Sequence, residues 1–175
     1  MQTKSLTLHI KRPPGIIAGL TAACAILGLF LAVDSQLGLP PGTFYKMIGL
    51  AFGIGSSYAV YGGFVLYMIT AAIIGIIYGY ITTHVRKLYP NSVVKGLGTG
   101  ILAGVIVWAV LFLPLNYGVM QPALRSMADT LNPSSPEYFM ARQLLQLSNT
   151  IIFGSLALHI VFGGVMGFCG RLSVA

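Results

Sequence analysis

Four runs of this chain, at about 15–33, 59–82, 97–118 and 150–170, are each close to twenty residues long and almost free of charge. Roughly 20 apolar residues are what an α-helix needs to cross the hydrocarbon core of a bilayer. Between the runs too few polar residues remain to cover a water-facing surface. Only seven per cent of the 175 residues are charged, against about a quarter in soluble domains. Lipid must replace water over most of the surface, and the backbone must then close its hydrogen bonds inside helices. The expected class is all-α and integral to a membrane, as a single membrane domain over 1–175 with four transmembrane helices. Lipid is the expected surroundings, and nucleic acid is not an expected partner. The net charge of +7 comes from residues placed as membrane topology requires, not from one basic patch interleaved with aromatics.

The first run follows Lys11-Arg12-Pro13-Pro14, like the basic start of a signal peptide. Its apolar stretch of about 18 residues is long for a signal core, and no small-x-small cleavage site follows, so it reads as a retained span. Charge then orients the four. Lys4, Lys11, Arg12, Arg86, Lys87, Lys95 and Arg171 fall on one side; Lys46, Arg125 and Arg142 fall on the other with Asp34, Asp129 and Glu137. Because cytoplasmic loops collect Lys and Arg, both termini are expected in the cytoplasm, with the chain in the cell's inner membrane.

The sequence also repeats itself. Gly15-Ile-Ile-Ala-Gly19 returns 85 residues later as Gly100-Ile-Leu-Ala-Gly104. Leu66-Tyr67 through Gly75 returns 92 residues later as Leu158-His159 through Gly167. The expected architecture is two parallel-repeat hairpins, about 15–82 and about 97–170. The outer loops match too. Pro41 to Phe52 reads as a short helix that Thr43 could cap; Ser135 to Gln146 reads as another, with Ser135 as cap and Pro136 in the first turn. Each has an aromatic pair and one basic residue, a pattern suited to the headgroup plane. Pro122, Pro133 and Pro136 are expected to break up the second outer loop, and Pro114 with Asn116 to mark a kink or helix end.

Inside lipid, helices are held by close backbone approach, which favours small residues. Gly15 and Gly19 form one such strip, Gly96, Gly100 and Gly104 a second, Gly163 and Gly167 a third. These are the expected helix-packing residues, meeting neighbours within the chain or, for one strip, another subunit. His159 is the one histidine near the middle of a span, so it needs a partner. It shares a strip with Ser155, and its repeat mate is Tyr67, which suggests a paired hydrogen-bond site near the symmetry axis. A ligand or ion pathway is the alternative. A metal site is the weakest option: Met166 and Cys169 lie nearby, but His9 and His84 fall at or beyond the membrane boundary. Tyr58, Tyr61, Tyr78, Tyr80 and Tyr89 bracket the second span as expected interfacial belts. Cys24 and Cys169 both lie within spans and do not suggest a disulfide framework. No nucleophile–base pair, phosphate loop or paired carboxylate can be assembled, and no cofactor is expected.

Gly15-Ile-Ile-Ala-Gly19, Leu37-Gly-Leu-Pro-Pro41 and Leu158-His159-Ile-Val-Phe162-Gly163-Gly-Val-Met-Gly167 resemble small four-span membrane proteins of bacteria and archaea. These YagU-like proteins are grouped as domains of unknown function. The resemblance implies a four-helix prokaryotic inner-membrane protein and no activity. The resulting expectation is a non-catalytic subunit packed against a larger membrane assembly, such as a membrane oxidase or monooxygenase. The alternative is a small-solute transporter or channel, with His159, Tyr67, Thr70 and Asn116 lining a narrow path.

Overall fold

A computed structural model describes residues 14–172 of the chain. The basic residues Lys4, Lys11 and Arg12, and His9, lie outside the described residues. Within them every regular element is helical, and four helices are long and apolar enough to cross a membrane. Helix α1 spans Pro14–Gln36, α3 spans Ala59–His84, α4 spans Val93–Thr130 and α6 spans Ser148–Leu172. Two short helices, α2 (Thr43–Ala51) and α5 (Pro136–Gln146), occupy the loops opposite the termini. A single 3-10 turn, Arg86–Leu88, joins α3 to α4 at the termini end.

Small residues set the packing. Helix α1 lies on α3, α6 lies on α1, and α4 lies on α6. A methyl group added at Gly19 would overlap the Ala71 carbonyl, and one added at Gly75 would overlap that of Gly15. On the other side, a methyl at Gly100 would strike the Gly163 carbonyl, and one at Gly167 that of Gly96. Backbones this close gain dispersion and weak Cα–H···O contacts that lipid cannot match. At Gly15, Gly19, Gly96, Gly100, Gly104, Gly163 and Gly167 an added Cβ would overlap the backbone of a neighbouring helix of this chain. The register differs from the sequence match, however. Gly100 meets Gly163 and Gly167 as Gly19 meets Ala71 and Gly75. In packing, Gly19 therefore corresponds to Gly100, one helical turn before the Gly104 that the sequence match assigns to it.

Of the kink or helix end expected at Pro114 with Asn116, the helix end is not found: α4 continues past the expected limit of about 118. It runs unbroken for 38 residues, roughly 57 Å at 1.5 Å per residue, well beyond the ~30 Å hydrocarbon core. Two π-helical turns, Trp108–Phe112 and Asn116–Met120, absorb the prolines. Pro114 and Pro122 each follow such a turn by two residues. A proline in a helix lacks an N–H and crowds the carbonyl four residues back. Widening the preceding turn relieves both problems: Leu113 N–H donates to Trp108 O, and Gln121 N–H to Asn116 O, five residues back. Pro122 therefore sits inside a helix and does not break the loop.

The two outer helices also differ from one another. Helix α2 presses on α3 because Gly49 faces the Ala59 carbonyl and Gly63 the Tyr45 carbonyl. The residues in matching positions of the second half are Gln143 and Ser155. Their side chains block the same approach, and α5 instead packs on the far end of α4.

Candidate functional site

The cap end of the bundle holds a half-open cavity of about 270 Å³. Its walls are the end of α1 (Phe30, Asp34), α2 (Phe44, Met47), the π-distorted part of α4 (Phe112, Asn116, Met120), α5 (Leu144) and α6 (Ser155, Leu158). The space exists because these elements are kept apart by their own local structure. Phe112 and Asn116, in or at the start of the π turns, are buried against it, while the Gly49–Gly63 contact holds α2 on α3.

Asp34 organises the rim. It is buried, 5% exposed, and its Oδ2 accepts the Gly42 N–H at 2.9 Å. The carboxylate thereby caps α2, favourably placed against the positive end of that helix. Thr43 does not serve as the cap: its hydroxyl donates to the Pro40 carbonyl at 2.6 Å. Ser135 does cap α5, accepting the Tyr138 N–H at 3.2 Å, with Pro136 in the first turn. Behind α2, Phe30 stacks on Phe44 with ring centroids 4.4 Å apart, and Tyr45 meets Phe64 and Tyr67 edgewise or tilted at 5.5 Å. Burial, with the charge of Asp34 added, pushes the Tyr45 hydroxyl up to about 12. That hydroxyl has no hydrogen-bond partner.

The polar residues singled out in the spans come to different ends. Tyr67 donates to the Ala23 carbonyl of α1 at 3.2 Å. His159 Nδ1 donates to the Ser155 carbonyl of its own helix at 2.7 Å, the tautomer that an accepting carbonyl requires, and its ring leans on Phe112 at 5.6 Å. Tyr67 and His159 thus do not pair, which corrects the expected axial site: each is satisfied by a nearby carbonyl before it reaches the other. Thr70 is exposed and bonds back to Leu66 O, so Thr70, Tyr67, His159 and Asn116 do not line one path. Tyr78 is not a belt residue either. It is buried and shares a 3.0 Å hydrogen bond with Thr99 between α3 and α4. Tyr58, Tyr61, Tyr80 and Tyr89 are exposed.

The hydrogen bond between helices near His159 belongs instead to Ser155. Its hydroxyl accepts the Trp108 indole N–H at 3.0 Å and donates to Ile152 O at 2.8 Å. Trp108 escaped sequence reasoning, although a lone tryptophan facing a serine strip was a usable signal. Met166 is fully buried in the core with Tyr78 and Phe162. Among the described residues no three His, Cys, Asp or Glu side chains gather as metal ligands.

Asn116 is the remaining member of the set and the most informative. It is 6% exposed, it lines the cavity, and its Nδ2 has no partner. Comparisons with protein-family models, curated proteins and solved structures give no match. The class of the molecule therefore rests on its own helices: a four-helix bundle built to sit in a membrane.

Proposed function

We propose that this chain is a non-catalytic, multi-pass subunit of a larger membrane assembly, lying in a prokaryotic inner membrane with both termini in the cytoplasm. The observation that carries the reading is the cap. The 38-residue α4 outruns any bilayer, turns back through α5, and is pinned to the rest of the molecule. Lys46 of α2 donates to Glu137 of α5 at 3.1 Å, and the Gln143 amide donates to Leu37 O. A pinned projection carrying an exposed aromatic, Phe139, and the exposed Arg125 and Arg142 suits a partner's outer domain.

The orientation rests on Arg86, Lys87, Lys95 and Arg171 at the termini end. The parallel repeat is supported by the paired glycine contacts α1–α3 and α4–α6, and a place for α2 and α5 at the membrane surface by their aromatic and basic residues. Extraction from native membranes in mild detergent tests the subunit reading. Co-migration with a second membrane protein is expected; migration only as a free monomer or homo-oligomer defeats it.

One observation favours a second reading, transport of a small solute: the cavity holds a polar group with nothing to bond. Flux assays on the purified chain in proteoliposomes test it. Permeability to small neutral solutes no higher than that of empty vesicles rules against transport.

A further inference from the structure

Asn116 opens the second π turn with its side chain 94% out of solvent contact (6% exposed), on the wall of a cavity of about 270 Å³. Buried amide donors in folded proteins are nearly always bonded, yet its Nδ2 is not. Apart from Gln36 and Thr150, which stand at its exposed edge, the other polar groups of the wall are committed. Asp34 Oδ2 holds the Gly42 N–H. Ser155 Oγ is bonded on both sides, and Gln121 Nε2 donates to Ser148 Oγ. The remaining wall is largely apolar, with Phe30, Phe44, Met47, Phe112 and Leu144. A largely apolar pocket with a buried, unbonded amide in its wall has the form of a small-molecule site. The second buried orphan, the Tyr45 hydroxyl, belongs to a residue that does not line this cavity.

We propose that the cavity binds a small apolar molecule through one carbonyl-type oxygen, which accepts the Nδ2–H of Asn116 when the amide, now shielded from the open space, turns toward it about its soft terminal torsion. Size limits the ligand: an apolar cavity of ~150 Å³ takes up benzene, so this one suits a fused bicycle or a short acyl segment. A lipid acyl ester and a free ketone share the required chemistry. The inference goes beyond the subunit reading and does not depend on it, since a ligand can be bound with or without a protein partner.

The test uses the full chain in lipid nanodiscs, with 1-acetonaphthone as probe and 1-ethylnaphthalene as its oxygen-free match. Trp108, the one tryptophan in the chain, is bonded to the cavity residue Ser155 and reports occupancy by fluorescence. Saturable binding is expected, with the ketone about tenfold tighter than the hydrocarbon, the scale of one hydrogen bond in a dry site. Asn116→Leu is expected to bind both alike, and the cavity-filling Leu144→Trp to bind neither. Equal affinities in the wild type, unsaturable uptake of both probes, a ketone preference that survives in Asn116→Leu, or unchanged binding in Leu144→Trp would overturn the proposal. The wild-type comparison alone decides it if a variant does not fold. Mass spectrometry of the purified protein then separates the sources. An acyl lipid displaced by the ketone supports the site with lipid as occupant, and ketone binding with no lipid displaced supports it with a free solute.

Discussion

An amide that is buried but unbonded costs stability in the empty protein, and Asn116 is the place to measure that cost. Asn116→Leu is close to isosteric and removes the orphan, so the ligand-free protein is expected to gain about 1–3 kcal/mol. Unfolding in mixed detergent would read this, and a loss of stability would mean that Asn116 is bonded after all. His159 and Ser155 supply a second contrast at this scale. His159 bonds only within its own helix among the contacts described, whereas Ser155 holds the Trp108 N–H across two helices. Ser155→Ala is therefore expected to cost about 0.6–1.7 kcal/mol, the range for interhelical hydrogen bonds in membranes, and His159→Leu less. The opposite ranking in the same unfolding assay would overturn this assignment. The sequence marked Asn116, Ser155, Tyr67 and His159 as intramembrane polar groups, because polar side chains stand out in apolar runs. It did not show which carbonyl each would find. A carbonyl one turn away competes with any distant partner, and sequence periodicity carries no information on which of them wins.

At the scale of elements, the glycines sort into those that touch a backbone and those that do not. A Cβ at Gly100 would strike the Gly163 carbonyl, while one at Gly98 would meet nothing within 4 Å. Gly100→Ala is therefore expected to destabilise the bundle by about 1–3 kcal/mol or more. Gly98→Ala is expected to stabilise it by about 0.5–1 kcal/mol, through the lower flexibility of alanine in the unfolded chain. Similar effects of the two would show that α4 and α6 are not in backbone contact. The four long apolar helices were legible from hydropathy and α5 from its Ser135 cap, whereas the Thr43 cap expected for α2 is not formed. The continuity of α4 was not legible. Proline normally reads as a helix end, and only the paired π turns before Pro114 and Pro122 make it otherwise. Nor was the stagger of α4 on α6 legible, because glycines four apart match at either of two positions one turn from each other.

At the scale of the whole molecule, α5 is joined to the α1–α2 segment by an apolar cluster that includes Leu39, Met47, Met140 and Leu144, by one ion pair and by one amide contact. The Lys46 ammonium, hydrogen-bonded to Glu137, holds that carboxyl below its ordinary value of 4.5. A carboxyl with a depressed value stabilises the folded state above its ordinary value and loses that contribution as pH falls through the depressed one. The attachment of α5 is thus expected to be complete at neutral pH and to weaken below pH 4.5. Hydrogen exchange over Pro136–Gln146 at a series of pH values would follow it, with Lys46→Ala as control. An acid-induced rise of the same size in that variant would assign the effect to other groups. Both residues are part-exposed, 24% and 33%, so the pair is weak and sensitive to salt.

The glycine contact between α4 and α6 has one more consequence. Glycines carry no side chains to mesh, so the two helices meet along a smooth rail that resists separation but offers little resistance to sliding. Three glycines on α4 face two on α6, and a shift of one turn, about 5.4 Å, would again set glycine against glycine. What fixes the position along the rail is a set of pins beside it. Tyr78 is tied to Thr99, Trp108 to Ser155 and Gln121 to Ser148, spread from one end of α4 to the other. Adhesion and alignment are thus assigned to different residues: glycines keep α4 on the bundle, and three polar pairs determine where along it α4 stops.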